Sequence, residues 1–343
     1  MKFWRWFLFP FSILYATVME IRNRLFDSKI FKSYVIPGKS IVIGNLSLGG
    51  TGKSPHTLFL WKIFHETTPI SFLSRGYGRK TKGLLEVNTD SLPENVGDEP
   101  LMFKKRVQTE SCVVVSENRE NGVRFIREKA SNSVILLDDA FQHRKVKAGF
   151  QILLTEYAHP FYRDFVVPMG RLRERRKGKN RADIVIVTKC PVTLSESEKM
   201  NIRSKINRST KNVYFSRICY DEIVPFSTKK ITAVKRILIV TGIANPSSLC
   251  QHLQMTFDVE LMAFPDHHTF TPDDLAKIHK KFDTFANKNE SIILVTEKDF
   301  VKLSTPELQP ILDAYPWYYQ PITVKIDEEE KFIHEIKKYV GTI

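Results

Sequence analysis

The run Gly49-Gly50-Thr51-Gly52-Lys53-Ser54 follows the apolar stretch Ile41-Val42-Ile43 and precedes a segment with helical patterning. Glycines in such a turn let successive backbone N–H groups face inward around a polyphosphate. Lys53 supplies a point charge for β- and γ-phosphates and Ser54 a hydroxyl ligand for Mg²⁺. The helix that follows presents the positive end of its dipole to the anion. Gly49, Gly50, Thr51, Gly52, Lys53 and Ser54 are therefore the expected nucleotide-binding residues. One position departs from the usual spacing: five residues before Gly52, where a glycine is customary, the chain has Ser47.

A second cluster lies in VILLDDAFQHR, residues 134–144. An apolar strand that ends in two carboxylates is how P-loop enzymes hold Mg²⁺ opposite the loop hydroxyl. Asp138 and Asp139 are thus metal-side candidates, either of which could instead cap a helix. His143, four residues beyond Asp139, would share a helix face with it if this segment were helical. In SRGYGR, residues 74–79, Arg75 could clamp phosphate and Tyr77 could stack on a ring. Asp98, in NVGDEP, sits just before a helical pattern. It reads either as a cap or as the carboxylate that orients and deprotonates a substrate hydroxyl. His267 and His268, in FPDHHTF, form a polar cluster about 170 residues further on, and spacing alone does not pair either with Asp98.

The elements that must position these residues read as an α/β alternation. Continuous apolar runs at 40–43, 70–73, 112–115, 134–137, 151–154 and 184–187 suit strands buried on both faces of a parallel sheet. Helical patterns at 55–65, 99–106 and 118–129 separate them, so the fold class is a doubly wound, mostly parallel sheet of P-loop NTPase type. The pattern weakens over 205–235, with strands expected at 213–218 and 231–234. A second series then begins: strands at 237–240, 260–264 and 292–295, and a helix over 271–285. The expected organisation is an amino-terminal apolar segment (1–25), a P-loop domain (26–215) and a linker (216–235). A smaller α/β domain (236–327) and a carboxy-terminal helix (328–343) complete it.

The chain has 343 residues, 52 Lys and Arg against 38 Asp and Glu, and a formal charge of +14. That excess points to a polyanionic partner: nucleic acid, an anionic membrane surface or a phosphorylated substrate. Part of it is local, since residues 163–181 carry eight Lys or Arg against two acids. No aromatic–basic stacking module or reader helix is recognisable, which argues against nucleic acid. The four cysteines have no metal-ligand spacing and read as reduced thiols of a cytosolic protein. The start, MKFWRWFLFPFSILYATVMEIRNRLF, is aromatic and apolar with arginines at both ends, but short for a bilayer span. It suits a helix lying in the headgroup region of an anionic membrane.

Taken together, GNLSLGGTGKSP, LSRGYGR, VGDEP, LLDDAFQHR, PMGRLRE, TGIANP, FPDHH and VTEKD resemble, in this order, the tetraacyldisaccharide 4′-kinase family. The resemblance spans nearly the whole chain and includes the hydroxyl residue at Ser47. It implies transfer of the ATP γ-phosphate to the 4′-hydroxyl of a tetraacylated glucosamine disaccharide 1-phosphate, at the cytosolic face of a Gram-negative inner membrane. The product would be lipid IV-A, in lipid A biosynthesis. By the same resemblance Asp98 is the catalytic base supported by His267, and Lys53 and Ser54 hold phosphate and Mg²⁺. Asp138, Asp139 and Glu174 are then metal-side carboxylates. Independently of the resemblance, residue chemistry makes Arg75 and Tyr77 candidates for substrate contact, and Arg171 a candidate to meet the substrate's existing phosphate or anionic headgroups. Departing from many members, the chain has no proline after Glu174. A monomer with ATP and Mg²⁺ as cofactors is expected. The competing reading is a metallochaperone-type GTPase, in which VTEKD would select the base, although the asparagine usual before that lysine is missing.

Overall fold

The computed structural model describes residues 3–107, 111–206 and 212–341. Its larger sheet has nine strands. In spatial order they are Ile322–Ile326, Asn212–Tyr220, Ile184–Thr188, Phe150–Glu156, Ser40–Asn45, Val134–Asp138, Ile70–Ser74, Cys112–Val115 and Leu85–Glu86. The central seven run parallel and each edge strand is antiparallel. The P-loop strand Ser40–Asn45 lies in the middle with every residue buried, as its unbroken apolar run requires. Chain order reverses on its two sides, so the loops after Asn45 and Asp138 open side by side at the carboxyl ends of the strands, where ligands bind in such sheets.

The smaller sheet has five strands, ordered Val224–Pro225, Trp317–Gln320, Ser291–Thr296, Arg236–Thr241 and Asp258–Ala263. Each sheet is covered on both faces by apolar clusters. The chain leaves the larger sheet along Asn212–Tyr220 and returns along Ile322–Ile326, and these two strands pair antiparallel. This differs from the boundaries expected from sequence. Residues 216–220 continue a strand rather than a linker, and residues 322–326 belong to the larger sheet. The return strand alternates in burial, so it lacks the unbroken apolar signature of the central strands. Residues 231–234 form no strand. The final helix Glu329–Val340 packs on the larger sheet through Phe332, which meets Phe59 and Tyr214.

Helix Asp98–Val107 of the first body lies against helix Glu297–Leu303 of the second. Arg106 pairs with both carboxylate oxygens of Glu297, and Lys105 sits 5.3 Å above the Phe300 ring.

The amino-terminal helix Phe9–Asp27 has its polarity reversed relative to an ordinary surface helix. Ser12 and Ala16 face the protein, whereas Phe11, Leu14, Val18 and Ile21 are exposed along the opposite side. Among the described residues no helix is long and apolar enough to cross a membrane.

Phe332 is 1% exposed and joins the last helix to the P-loop helix, so Phe332→Ala is expected to cost about 3–5 kcal/mol. The check is the urea midpoint followed by circular dichroism, which should fall; an unchanged midpoint would mean that the last helix is dispensable for the larger body.

Candidate active site

The phosphate loop spans the gap between the P-loop strand and helix Lys53–Phe64. Gly49 and Gly52 have φ of 108° and 85°, in the region glycine enters at no steric cost. The Asn45 amide donates to Thr51 Oγ1 at 2.9 Å, and Thr188 Oγ1 donates to the Thr51 carbonyl at 2.9 Å, so the loop is held in shape from below. His56, buried in the first turn of the helix, contacts the Gly52 carbonyl and Ser216 Oγ; burial pushes its imidazole down to about 4, which keeps it neutral. Ser47 is buried and forms a β-bridge with Leu172. Backbone bonds on either side, Leu48 N to Arg171 O and Arg173 N to Leu46 O, both 2.7 Å, zip the loop's start to residues 171–173. A residue in extended pairing needs no glycine, which is the physical account of the departure at Ser47.

Asp138 ends its strand fully buried, with Thr57 Oγ1 at 3.4 Å. Burial, then the charge of Glu99, pushes its carboxyl up to about 7 against the pull of Lys53. A buried carboxyl so poor in partners suits a cation. Asp139 follows in the left-handed region, φ 47°, which aspartate tolerates better than most residues. It accepts two hydrogen bonds from Arg173 Nη1, at 2.9 and 3.1 Å, and lies 3.7 Å from Lys53 Nζ. The residues after Asp139 form turns, not a helix, so His143 shares no helix face with it. Burial first, and then Arg119, Arg22, Lys145 and Arg75, lowers the His143 imidazole to about 4.

Asp98 begins its helix at the junction of the two sheets. His267 Nδ1, from the smaller body, lies 3.7 Å from Asp98 Oδ2, an ion-pair distance longer than a hydrogen bond. Burial raises the Asp98 carboxyl above its ordinary value, while Lys302, Lys298 and His267 oppose that shift. Glu99 acts electrostatically on both Asp98 and Asp138. Tyr77 is exposed, with its ring 5.6 Å from that of His267. Arg75 is exposed at the same rim and acts on Arg119 and His143.

Two other expected residues, Arg171 and Glu174, stand further back. Arg171 pairs with Asp164 at 3.1 Å. Glu174 is buried, with its two oxygens taken by Arg181, Gln142 and Asn23. His268, for which the sequence suggests no role, pairs with Asp274 at 2.9 Å, beside the capping box of helix Pro272–Phe282.

Sequence reasoning passed over Arg119. It is 2% exposed, opens helix Arg119–Lys129, and acts on Asp138 and Asp139. Burial, then Arg75, lowers its guanidinium to about 10. A cation in the first turn of a helix opposes the helix dipole, and that local conflict was a readable signal. Glu99, Asp299 and Lys302 were also passed over as site residues. In VTEKD, Glu297 is committed to Arg106 and Asp299 is fully buried in hydrogen bonds, so neither is free to read a guanine base.

Residues 4–341 match the sequence model of the tetraacyldisaccharide-1-P 4′-kinases. The chain belongs to the tetraacyldisaccharide 4′-kinase family. Relatives named tetraacyldisaccharide 4′-kinase include one from Flavobacterium psychrophilum, 42% identical over 99% of this chain and 98% of the relative. One from Bacteroides fragilis is 38% identical over 99% and 94%. The crystal structure of LpxK from Aquifex aeolicus in complex with ATP superposes with a TM-score of 0.78 at 28% identity, covering 98% of this chain and 99% of that one. As a 4′-kinase family member the chain is an enzyme of the phosphotransferase class, and the GTPase alternative is not favoured.

For this 4′-kinase family member, Lys53→Ala should lower turnover by about 10²-fold or more, since charge neutralisation carries most of phosphoryl-transfer catalysis. Ser47→Gly should leave turnover within a few-fold, because the backbone there is already in extended pairing. Steady-state kinetics with folding checked by circular dichroism tests both; equal losses from the two would contradict the reading of the loop.

Proposed function

We propose that the chain transfers the γ-phosphate of ATP to the 4′-hydroxyl of a tetraacylated glucosamine disaccharide 1-phosphate, with Asp98 as general base. The observation that carries this is the meeting of Asp98 and His267 across the junction, beside a P-loop and a carboxylate pair. Asp98 accepts the proton of the attacking hydroxyl, and burial keeps its basicity above that of an exposed carboxylate. His267 orients the carboxylate and offers a partner for the proton. Lys53, Arg119 and Arg75 surround the space between the loop and the carboxylates, so a polyphosphate brings its charge into a set of fixed cations.

Mg²⁺ fits the donor set: Ser54 at the helix start with Asp138 and Asp139 supply the hydroxyl and carboxylates that P-loop kinases use. Among the described residues no third His, Cys, Asp or Glu completes a cage, in keeping with an ion shared with nucleotide phosphates. When bound, the ion would neutralise charge developing on the β- and γ-phosphates. Glu174 would join these ligands only by giving up one of its present partners.

The lipid acceptor explains the amino terminus. Extracting acyl chains from a bilayer costs about 0.8 kcal/mol per CH₂, so the enzyme must come to the membrane. The outward apolar stripe of helix Phe9–Asp27, beside the basic segment 163–181, supports a peripheral or monotopic association with the cytosolic face of a Gram-negative inner membrane. Tyr77 and Arg75, exposed near His267, are placed to meet the sugar and its phosphate, and the unit that acts is a monomer.

Asp98→Asn should reduce turnover by about 10²–10⁴-fold while the Michaelis constant for ATP stays near parental. Near-parental turnover in that variant would remove the proposed base. Deleting residues 1–20 should weaken co-sedimentation with liposomes containing anionic lipid; unchanged sedimentation would reject the amino-terminal helix as the anchor.

A further inference from the structure

The motif VTEKD continues as Phe300-Val301-Lys302, and two of its residues lie behind the proposed base. Asp299 is fully buried at the start of helix Glu297–Leu303. Its Oδ2 accepts hydrogen bonds from Thr241 Oγ1 at 2.8 Å, Thr296 Oγ1 at 2.7 Å and the Gly242 N–H at 3.2 Å. Its Oδ1 accepts one from Lys302 Nζ at 3.1 Å. The side chain of Lys302 is 5% exposed, and its Nζ lies 4.0 Å from Asp98 Oδ2. Gly242 in turn accepts a hydrogen bond from the His267 backbone N–H at 3.1 Å. His267 sits in the left-handed region, φ 60°, so its turn needs such anchoring.

We propose that Asp299 and Lys302 are a positioning pair for Asp98. Asp299 holds two of the three groups that the smaller body presents to the base: the His267 turn through Gly242, and the ammonium of Lys302 directly. The proposal rests on the reading of Asp98 as general base. Both residues are buried behind Asp98 rather than open to solvent. Lys302 keeps a fixed positive charge behind the Asp98 carboxylate, favouring its ionised form where burial alone would favour the proton. Asp299 pairs directly with that buried ammonium, which offsets the cost of burying its charge. The other groups facing Asp98 are Lys298 and His267 from the smaller body and Glu99 from its own helix. Glu99 opposes the two cations and is itself paired with Lys298 at 3.3 Å.

The test is the pH profile of kcat/KM for the lipid acceptor, measured on the full-length enzyme with ATP and Mg²⁺. Loss of the cation raises the affinity of Asp98 for a proton, so the acid limb moves to higher pH. Lys302→Met should shift that limb up by about one pH unit, about tenfold lower activity on the acid side, and stay close to parental on the alkaline side. Lys302→Arg, which keeps the charge, should return the limb toward its parental position. Asp299→Asn should shift the limb as Lys302→Met does, and the double variant should shift it no further. A uniform loss at every pH with an unmoved limb would overturn the proposal, leaving the pair a packing feature. Failure of Lys302→Arg to restore the limb would do the same. Should Lys302→Met not fold, Lys302→Arg and Asp299→Asn still decide between these outcomes. Asp98→Asn separates the two levels: if it retains the parental rate and profile, the base itself is misassigned, whatever the Lys302 variants do.

Discussion

The meeting of the two bodies at the site depends on the ion pair between Arg106 and Glu297, which closes the contact between helices Asp98–Val107 and Glu297–Leu303. Neither sheet holds a complete site. The larger sheet supplies the phosphate loop, Asp138, Asp139 and Asp98; the smaller one supplies His267, Lys298 and Lys302. Bidentate pairing with a carboxylate that is 7% exposed fixes the two helices in relative register, because a guanidinium fork meets a carboxylate in few orientations. Truncating either partner would strand the other's charge in a half-buried place, a larger penalty than the pair's own contribution. The same contact delivers His267 and Lys302 to within 4.0 Å of the Asp98 carboxylate.

A second chain of contacts joins the amino-terminal helix to the phosphate loop. Ser12 Oγ accepts from the Met169 N–H at 2.9 Å, the Tyr15 hydroxyl donates to the Arg173 carbonyl, and Asn23 donates to Glu174. Residues 171–173 then pair with Leu46–Leu48 at the base of the loop, and Arg173 reaches Asp139. Glu174, with Arg181 and Gln142, braces this segment from within, and Gln142 also donates to the Asn45 carbonyl. The helix that would meet lipid and the loop that would hold nucleotide are therefore one packed unit. Ser12 and Ala16 on the inward face of that helix make this possible, leaving its large apolar residues, Phe26 excepted, for the outside.

Much of the larger body was legible because its strands are buried on both faces and read as unbroken apolar runs. The loop and the two aspartates were legible because their chemistry is local: glycines, a lysine and a hydroxyl in succession, then a strand ending in carboxylates. What escaped was non-local or irregular. The return strand Ile322–Ile326 has one covered face and pairs with a strand about 100 residues earlier, so no window of sequence assigns it to the larger sheet. His143 would have shared a face with Asp139 only on a helix, which the left-handed Asp139 and its following turns preclude. The nearness of Asp98 to His267 and Lys302 arises only when the two bodies meet. Arg119, Glu99 and Asp299 are ordinary charged residues on helices until burial and neighbours give them a role. Glu174 matched its family motif, yet its surroundings tie it first to Arg181 and the amino-terminal helix.

The most direct measurement is the position of the phosphate on the product. After incubation of the enzyme with ATP, Mg²⁺ and a tetraacylated disaccharide 1-phosphate in detergent micelles, tandem mass spectrometry of the lipid should show one added phosphate on the distal sugar at its 4′ oxygen. Lipid recovered unmodified while ATP is hydrolysed, or a phosphate added elsewhere, would contradict the account.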